Sequence, residues 1–258
     1  MTYLPPPKEI LILGSGVFGL STALALTQRP AFKDSKITVV DRSVFPAPDE
    51  SGLVLVANEN SNGLPYVRAS FANVKSLLPN PGDVEELRGR QEIEQAVGTG
   101  GGSGDWGYVN HRSGWADAEA GMRILRSLVE ETGRVTFLTR TVTSLIYSSS
   151  TPPRVLGANF ASGPPISADL TIAALGAWTP SLIDLRGRAQ ATGQVLCYLP
   201  LTAAEQEDLG SMPVLLNMST GMFIIPPRNR ILKVARHGYG YTNPSSISLP
   251  TPTSTSTS

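Results

Sequence analysis

Three glycines at a fixed spacing carry the first chemistry in this chain. Gly14, Gly16 and Gly19 stand as G-x-G-x-x-G within ILILGSGVFGLSTALALTQ, residues 10–28. Each has a mechanical use: a tight turn, close approach of backbone to a pyrophosphate, and close packing of helix on strand. Ser15, Val17 and Phe18 fill the intervening positions and belong to the same expected phosphate contact, because the first N–H groups of a helix favour anions. Asp41 closes the next apolar run, ITVVD, roughly 20 residues past the last glycine, where a carboxylate can accept hydrogen bonds from a ribose. Arg42 and Ser43 follow and fall at the adenosine end; the backbone near Val142 is expected beside the adenine. The plainer alternative is a doubly wound domain that holds no nucleotide.

Glycine spacing does not choose between FAD and NAD. A second stretch, DLTIAALGAWTP, bears on that choice. It carries an apolar strand into Gly176, Ala177 and Trp178, which brings a second glycine turn beside the first. That arrangement is usual in flavoproteins. An ordinary strand end with a packed tryptophan is the alternative, and an NAD-dependent dehydrogenase is a competing reading.

These residues need elements to hold them. Ile10–Leu13 is a continuous apolar run, as a parallel strand covered on both faces requires. Val17–Thr27 reads as a helix ending before Pro30, and Ile37–Val40 as the next strand. A parallel sheet of Ile10–Leu13, Ile37–Val40 and a buried strand Leu170–Leu175 is predicted, packed on the helices Val17–Thr27 and Asp117–Thr132. Val135–Leu138, Val142–Tyr147 and Val155–Phe160 alternate like antiparallel strands. Phe45–Gly52 reads as a turn-rich loop, Gly98–Gly107 as a flexible glycine loop, and Pro65–Leu78 and Asp83–Val97 as two surface helices. A second, mostly antiparallel sheet is predicted from Leu53–Ala57, Tyr108–Asn110, Gln194–Leu199, Met222–Ile225 and Ile231–Ala235. The fold class is therefore α/β. A Rossmann-like FAD-binding domain is expected over residues 1–50 and 116–193, with an interleaved α+β substrate domain over 51–115 and 194–243. Residues 244–258 form a Ser/Thr/Pro tail expected to be disordered.

Composition narrows the class. The chain has 258 residues, 41% hydrophobic and 16% charged, which suits a globular protein with a sizeable core. Lys plus Arg and Asp plus Glu are 21 each, so nothing points to nucleic acid or an anionic membrane as a partner. The single cysteine, Cys197, excludes an internal disulfide, favours a reducing intracellular setting, and reads as a small buried apolar residue. The apolar stretch near the start is interrupted by glycines and too short to span a membrane.

The chain resembles the D-amino-acid-oxidase-type family of FAD-dependent amine oxidases. It is most similar to the fungal branch of sarcosine, pipecolate, saccharopine and fructosyl-amine oxidases. The resemblance rests on ILILGSGVFGLSTALAL, ITVVDRSVFPAPD, SGLVLVA, GDWGYVNHRSGWADAEAGMRIL, LGAWTP, LRGRAQATGQVLCYLPL, LLNMSTGMFIIPPRN and ILKVARHGYGY. It implies oxidation of the C–N bond of a secondary or primary amine, with dioxygen as acceptor and hydrogen peroxide as product. It implies FAD as cofactor, a monomer, and a cytoplasmic or peroxisomal location, although the chain shows no targeting signal. Lys233 in ILKVARH matches the family's lysine that promotes reaction of reduced flavin with oxygen, and His237 matches a histidine lining the substrate pocket. The plainer readings are a surface strand lysine and a hydrogen-bonded core histidine.

The chain departs from the family in two places. A segment expected between FPAPD and ESGLVLVA is absent, and relatives continue well past HGYGYTNP. A shortened member is therefore expected, with the ADP half of an FAD site better represented than the half that grips the isoalloxazine. Little or no turnover by this chain alone follows, and a non-catalytic flavin-binding fragment is the alternative.

Overall fold

The structure is a computed structural model and describes residues 5–42 and 53–244. The expectations for Ser43, for the Phe45–Gly52 loop and for the tail from residue 245 onward lie outside the described residues. The chain begins with β1 (Glu9–Leu13), α1 (Val17–Thr27), β2 (Lys36–Asp41), β3 (Leu53–Ala57), α2 (Gly63–Leu77), β4 (Val84–Leu87) and α3 (Arg90–Val97). It continues through β5 (Trp106–Asn110), α4 (Ala118–Glu131), β6 (Val135–Thr139), β7 (Val142–Tyr147), β8 (Val155–Phe160), β9 (Ile166–Ser167) and β10 (Leu170–Ala173). It ends with β11 (Leu196–Pro200), α5 (Ala203–Leu209), β12 (Val214–Asn217), β13 (Met222–Arg228) and β14 (Ile231–Arg236). Two compact units divide these elements. The first takes residues 5–42, 118–191 and 243–244, the second residues 53–117 with 192–242.

The first unit is built on a parallel sheet in the order β10-β1-β2-β6. Alternation along the strands sorts the apolar residues to its two faces. Ile10, Ile12, Ile37 and Val39 meet Leu20, Ala23 and Leu26 of α1 and Val129 of α4. Leu11, Leu13 and Val40 meet Leu145 of β7, Ala158 of β8 and Leu182. Residues 10–13 are at most 2% exposed, so each contributes the full ~1.5–3 kcal/mol of a buried aliphatic side chain. β7, β8 and β9 form a separate antiparallel sheet.

Two expectations change here. Val135–Leu138 is not part of an antiparallel set; β6 is the fourth parallel strand, in register with β2 from Ile37↔Val135 to Asp41↔Thr139. Its start is fixed by Arg134, whose guanidinium donates to the carbonyls of Thr27, at the end of α1, and of Phe32. Leu170–Leu175 is a shorter strand, β10, and it lies at the sheet edge with Leu170 exposed. Its apolar residues cover one flank of β1 rather than filling a central position.

The second unit holds a seven-stranded sheet in the order β11-β14-β13-β12-β3-β5-β4, antiparallel except between β12 and β3. α2 covers one face with Leu64, Val67, Phe71 and Val74 against Leu55, Tyr108 and Leu216. Ile93 and Val97 of α3 and Leu209 of α5 cover the other against Val56, Val109, Leu215 and Ile224. The expected helix Asp83–Val97 resolves into β4 and the shorter α3. Val84 and Leu87 have helical spacing, yet they are buried on opposite faces of the sheet, as two residues an odd number apart in a strand must be. Cys197 is exposed rather than buried. It lies in β11, the edge strand, every residue of which is exposed.

Candidate functional site

The glycine motif lies where β1 turns into α1, and its three positions have three different constraints. Gly14 has φ +104°, and a Cβ there would overlap the Ala174 carbonyl oxygen. A Cβ on Gly19 would overlap the Gly14 carbonyl, so close packing of helix on strand requires glycine. Gly16 has no such neighbour: nothing stands within 4 Å of the place a Cβ would take. Gly16 is also the N-cap of α1, extended and without a side-chain cap, and the first turn carries no acidic residue. The first N–H groups of α1 thus keep their capacity for an external acceptor.

The carboxylate of Asp41 braces this loop, with Oδ2 accepting from the Ser15 N–H at 2.7 Å. The Ser15 side chain is 1% exposed, and its Oγ has no hydrogen-bond partner among the described residues. In front of the loop is a cavity of about 460 Å³, lined by Gly14, Gly16, Asp41, Arg42 and Val142. Gly176 and Trp178 border the same cavity from the turn after β10. Arg42 places its guanidinium 3.8 Å from the Trp178 ring centroid. Val17 and Phe18 point to solvent and do not line the cavity, and Ala177 is exposed in the same 3-10 turn as Trp178.

Arg140, Thr141 and Ser181 also line the cavity and were not among the expected residues. Arg140 directly follows β6 and donates its backbone N–H to the Asp41 carbonyl at 2.8 Å. Their signal was the assignment of Val135–Leu138: a fourth parallel strand ends on the same side of the sheet as the glycine loop.

In the second unit, Lys233 is half-buried on β14, opposite Tyr198 of β11 and Ile225 of β13. Its Nζ lies 6.0 Å from the Phe223 ring centroid. His237 follows β14 and stacks on the same ring, with centroids 4.6 Å apart and planes 18° apart. His237 is exposed, so it is not a core histidine. Phe223 was not foreseen, because its position between Lys233 and His237 depends on the register of β13 on β14. Among the described residues no cluster of His, Cys, Asp or Glu could hold a metal ion, and no helix is long and apolar enough to cross a membrane.

The first unit, with its parallel sheet, glycine turn and bare helix end, defines an α/β protein with a Rossmann-like dinucleotide-binding fold. Comparison with known proteins refines this. The chain is 27% identical to the amino acid oxidase imqH of Aspergillus flavus, in an alignment covering 92% of this chain and 67% of that protein. It is 26% identical to the amino acid oxidase fsqB of Aspergillus fumigatus, covering 90% of this chain and 62% of that protein. Among solved structures it matches the deglycating enzyme fructosamine oxidase of Aspergillus fumigatus, Amadoriase II, with a TM-score of 0.74 at 22% identity, covering 92% of this chain and 63% of that one. The same neighbour in complex with FSA matches with a TM-score of 0.72, at 21% identity and covering 92% and 64% of the two chains. No protein-family model matches the chain. The chain is similar in sequence to these fungal amino acid oxidases, an oxidoreductase lineage, and shares the fold of the fructosamine oxidases. It spans about two thirds of its relatives' length.

Proposed function

We propose that this chain is an FAD-binding member of that lineage, which oxidises the C–N bond of a secondary or primary amine. The amine loses two electrons and two protons to give an imine, water hydrolyses the imine, and dioxygen takes up two electrons and two protons to give hydrogen peroxide. The carrying observation is the α1 N-terminus: uncapped, open at Gly16, and facing a cavity large enough for part of a dinucleotide. The partnerless buried Ser15 hydroxyl and the open Gly16 position fit an external phosphate acceptor at this loop.

FAD, when bound, supplies the electron acceptor for amine oxidation and the donor for dioxygen. The chain's own residues do the rest. Gly14, Gly16 and Gly19 shape the backbone for the pyrophosphate, and Ser15 and the N–H groups of α1 donate to it. Asp41 holds the loop and faces the ribose. Gly176 and Trp178 border the cleft from the other side, and Val142 lines its adenine end. In the second unit, Phe223 gives Lys233 and His237 a common apolar support. Lys233 presents a fixed cation where negative charge builds on dioxygen, and such a charge needs no reorganisation as the reaction proceeds. His237 borders the amine.

Single-turnover reduction tests this reading. The purified chain, loaded with FAD and freed of excess, is mixed without air with sarcosine, pipecolate, saccharopine or a fructosyl amino acid. Bleaching of the visible flavin absorbance by one of these amines, with peroxide formed on readmitting air, is the expected result. A loaded chain bleached by no amine but by NADH or NADPH would contradict it.

A further inference from the structure

We propose that Arg42 and Trp178 form a clasp across the dinucleotide cleft that slows release of the bound dinucleotide; this rests on reading the first unit as an FAD site. The sheet order puts β10 and β2 on opposite sides of β1. Arg42 directly follows β2, and Trp178 lies in the short turn after β10. Strands flanking a common neighbour are roughly 10 Å apart, so the two side chains meet only by crossing the end of β1, where the glycine loop begins. They do meet, with the guanidinium carbon 3.8 Å from the ring centroid, and both border the cavity that Gly14 and Gly16 line.

Packing does not impose this contact. Trp178 is 57% exposed, so burial in the core does not fix its position. Among the described residues the Arg42 guanidinium has no carboxylate partner and donates no hydrogen bond; the contact with the Trp178 ring is its contact there. A guanidinium held over an aromatic ring keeps N–H donors for another partner, in the fork geometry that fits two phosphate oxygens. One side chain can therefore hold the far wall of the cleft through the ring and a diphosphate through its N–H donors. Trp178 acts through Arg42, which makes it a positioning residue rather than a direct phosphate ligand.

The test is FAD release, followed by stopped-flow flavin fluorescence as loaded protein is diluted into excess ADP, for the parent, Arg42→Met, Trp178→Leu and the double variant. Melting curves show that each is folded. The clasp predicts that Trp178→Leu speeds release roughly five-fold when Arg42 is present, the scale of an exposed cation–π contact, and leaves release unchanged when residue 42 is already Met. If Trp178→Leu speeds release equally in both backgrounds, or in neither, the two side chains act separately and the clasp is wrong. The flavin reading fails differently: the parent then retains no FAD, or Gly16→Val retains it as well as the parent does. If Gly16→Val loses FAD while the Arg42 and Trp178 variants behave as the parent, the flavin site stands and the clasp alone falls.

Discussion

At the scale of single residues, steric constraint and ligand access separate cleanly within one motif. Gly19 is there for packing: a methyl group would press on the Gly14 carbonyl. Gly19→Ala is therefore expected to lower stability by roughly 1–3 kcal/mol, the usual cost of overpacking, measurable by denaturant unfolding without any ligand. An unchanged midpoint would mean that helix and strand separate easily there. Lys233 tests the second unit. In a variant set that turns over, Lys233→Met should leave flavin reduction by the amine nearly unchanged. Reoxidation by dioxygen should slow by two to three orders of magnitude, the effect of losing an electrostatic stabiliser of about 3–4 kcal/mol. Slowed reduction with normal reoxidation would make Lys233 an amine-binding residue instead. The glycine motif was legible in the sequence because its constraints are local. The Arg42–Trp178 and Phe223–His237 contacts were not, because each joins residues that only strand order or register brings together. The buried reading of Cys197 failed for a related reason: residue type favours burial, but edge position decides it.

At the scale of elements, the apolar runs and their alternation predicted both sheets, while direction and edge position were harder to read. β6 looked antiparallel because its residues alternate, yet Arg134 and α4 bring it in parallel to β2. Another long-range tie joins the starts of β1 and β10. The Asp169 carboxylate accepts from the backbone N–H of Lys8 at 2.9 Å and of Glu9 at 3.0 Å. These bonds, that from Glu9 first, hold its pKa below the ordinary carboxylate range. A carboxyl group with a lowered folded pKa adds stability above its unfolded pKa and loses it as pH falls through the folded value. The difference in melting temperature between the parent and Asp169→Asn should thus be present at neutral pH and vanish in acid, below the ordinary carboxylate pKa. A difference that persists unchanged in acid would show that the carboxylate charge is not what joins the two strand starts.

At the scale of the whole molecule, the two units differ in how complete their sites are. The first unit carries a turn, a bare helix end, a bracing acid and a bordered cavity. In the second, the strand beside Lys233 is open to water along its length, with Tyr198 59% and Leu196 45% exposed. Charge stabilisation and substrate positioning weaken where water is not excluded. The 258-residue polypeptide is accordingly expected to oxidise amines slowly even when loaded, with peroxide release at least 100-fold below the usual enzyme turnover of about 10 per second. Fast peroxide release would show that the open face is no handicap. The central claim, that the first unit holds FAD through the glycine loop, is tested most directly by the absorbance spectrum of the purified chain after incubation with FAD and removal of the excess. Retained flavin bands in the parent, lost in a Gly16→Val variant that still unfolds cooperatively, are the predicted result; a parent that keeps no flavin, or a Gly16→Val variant that keeps as much, would contradict it.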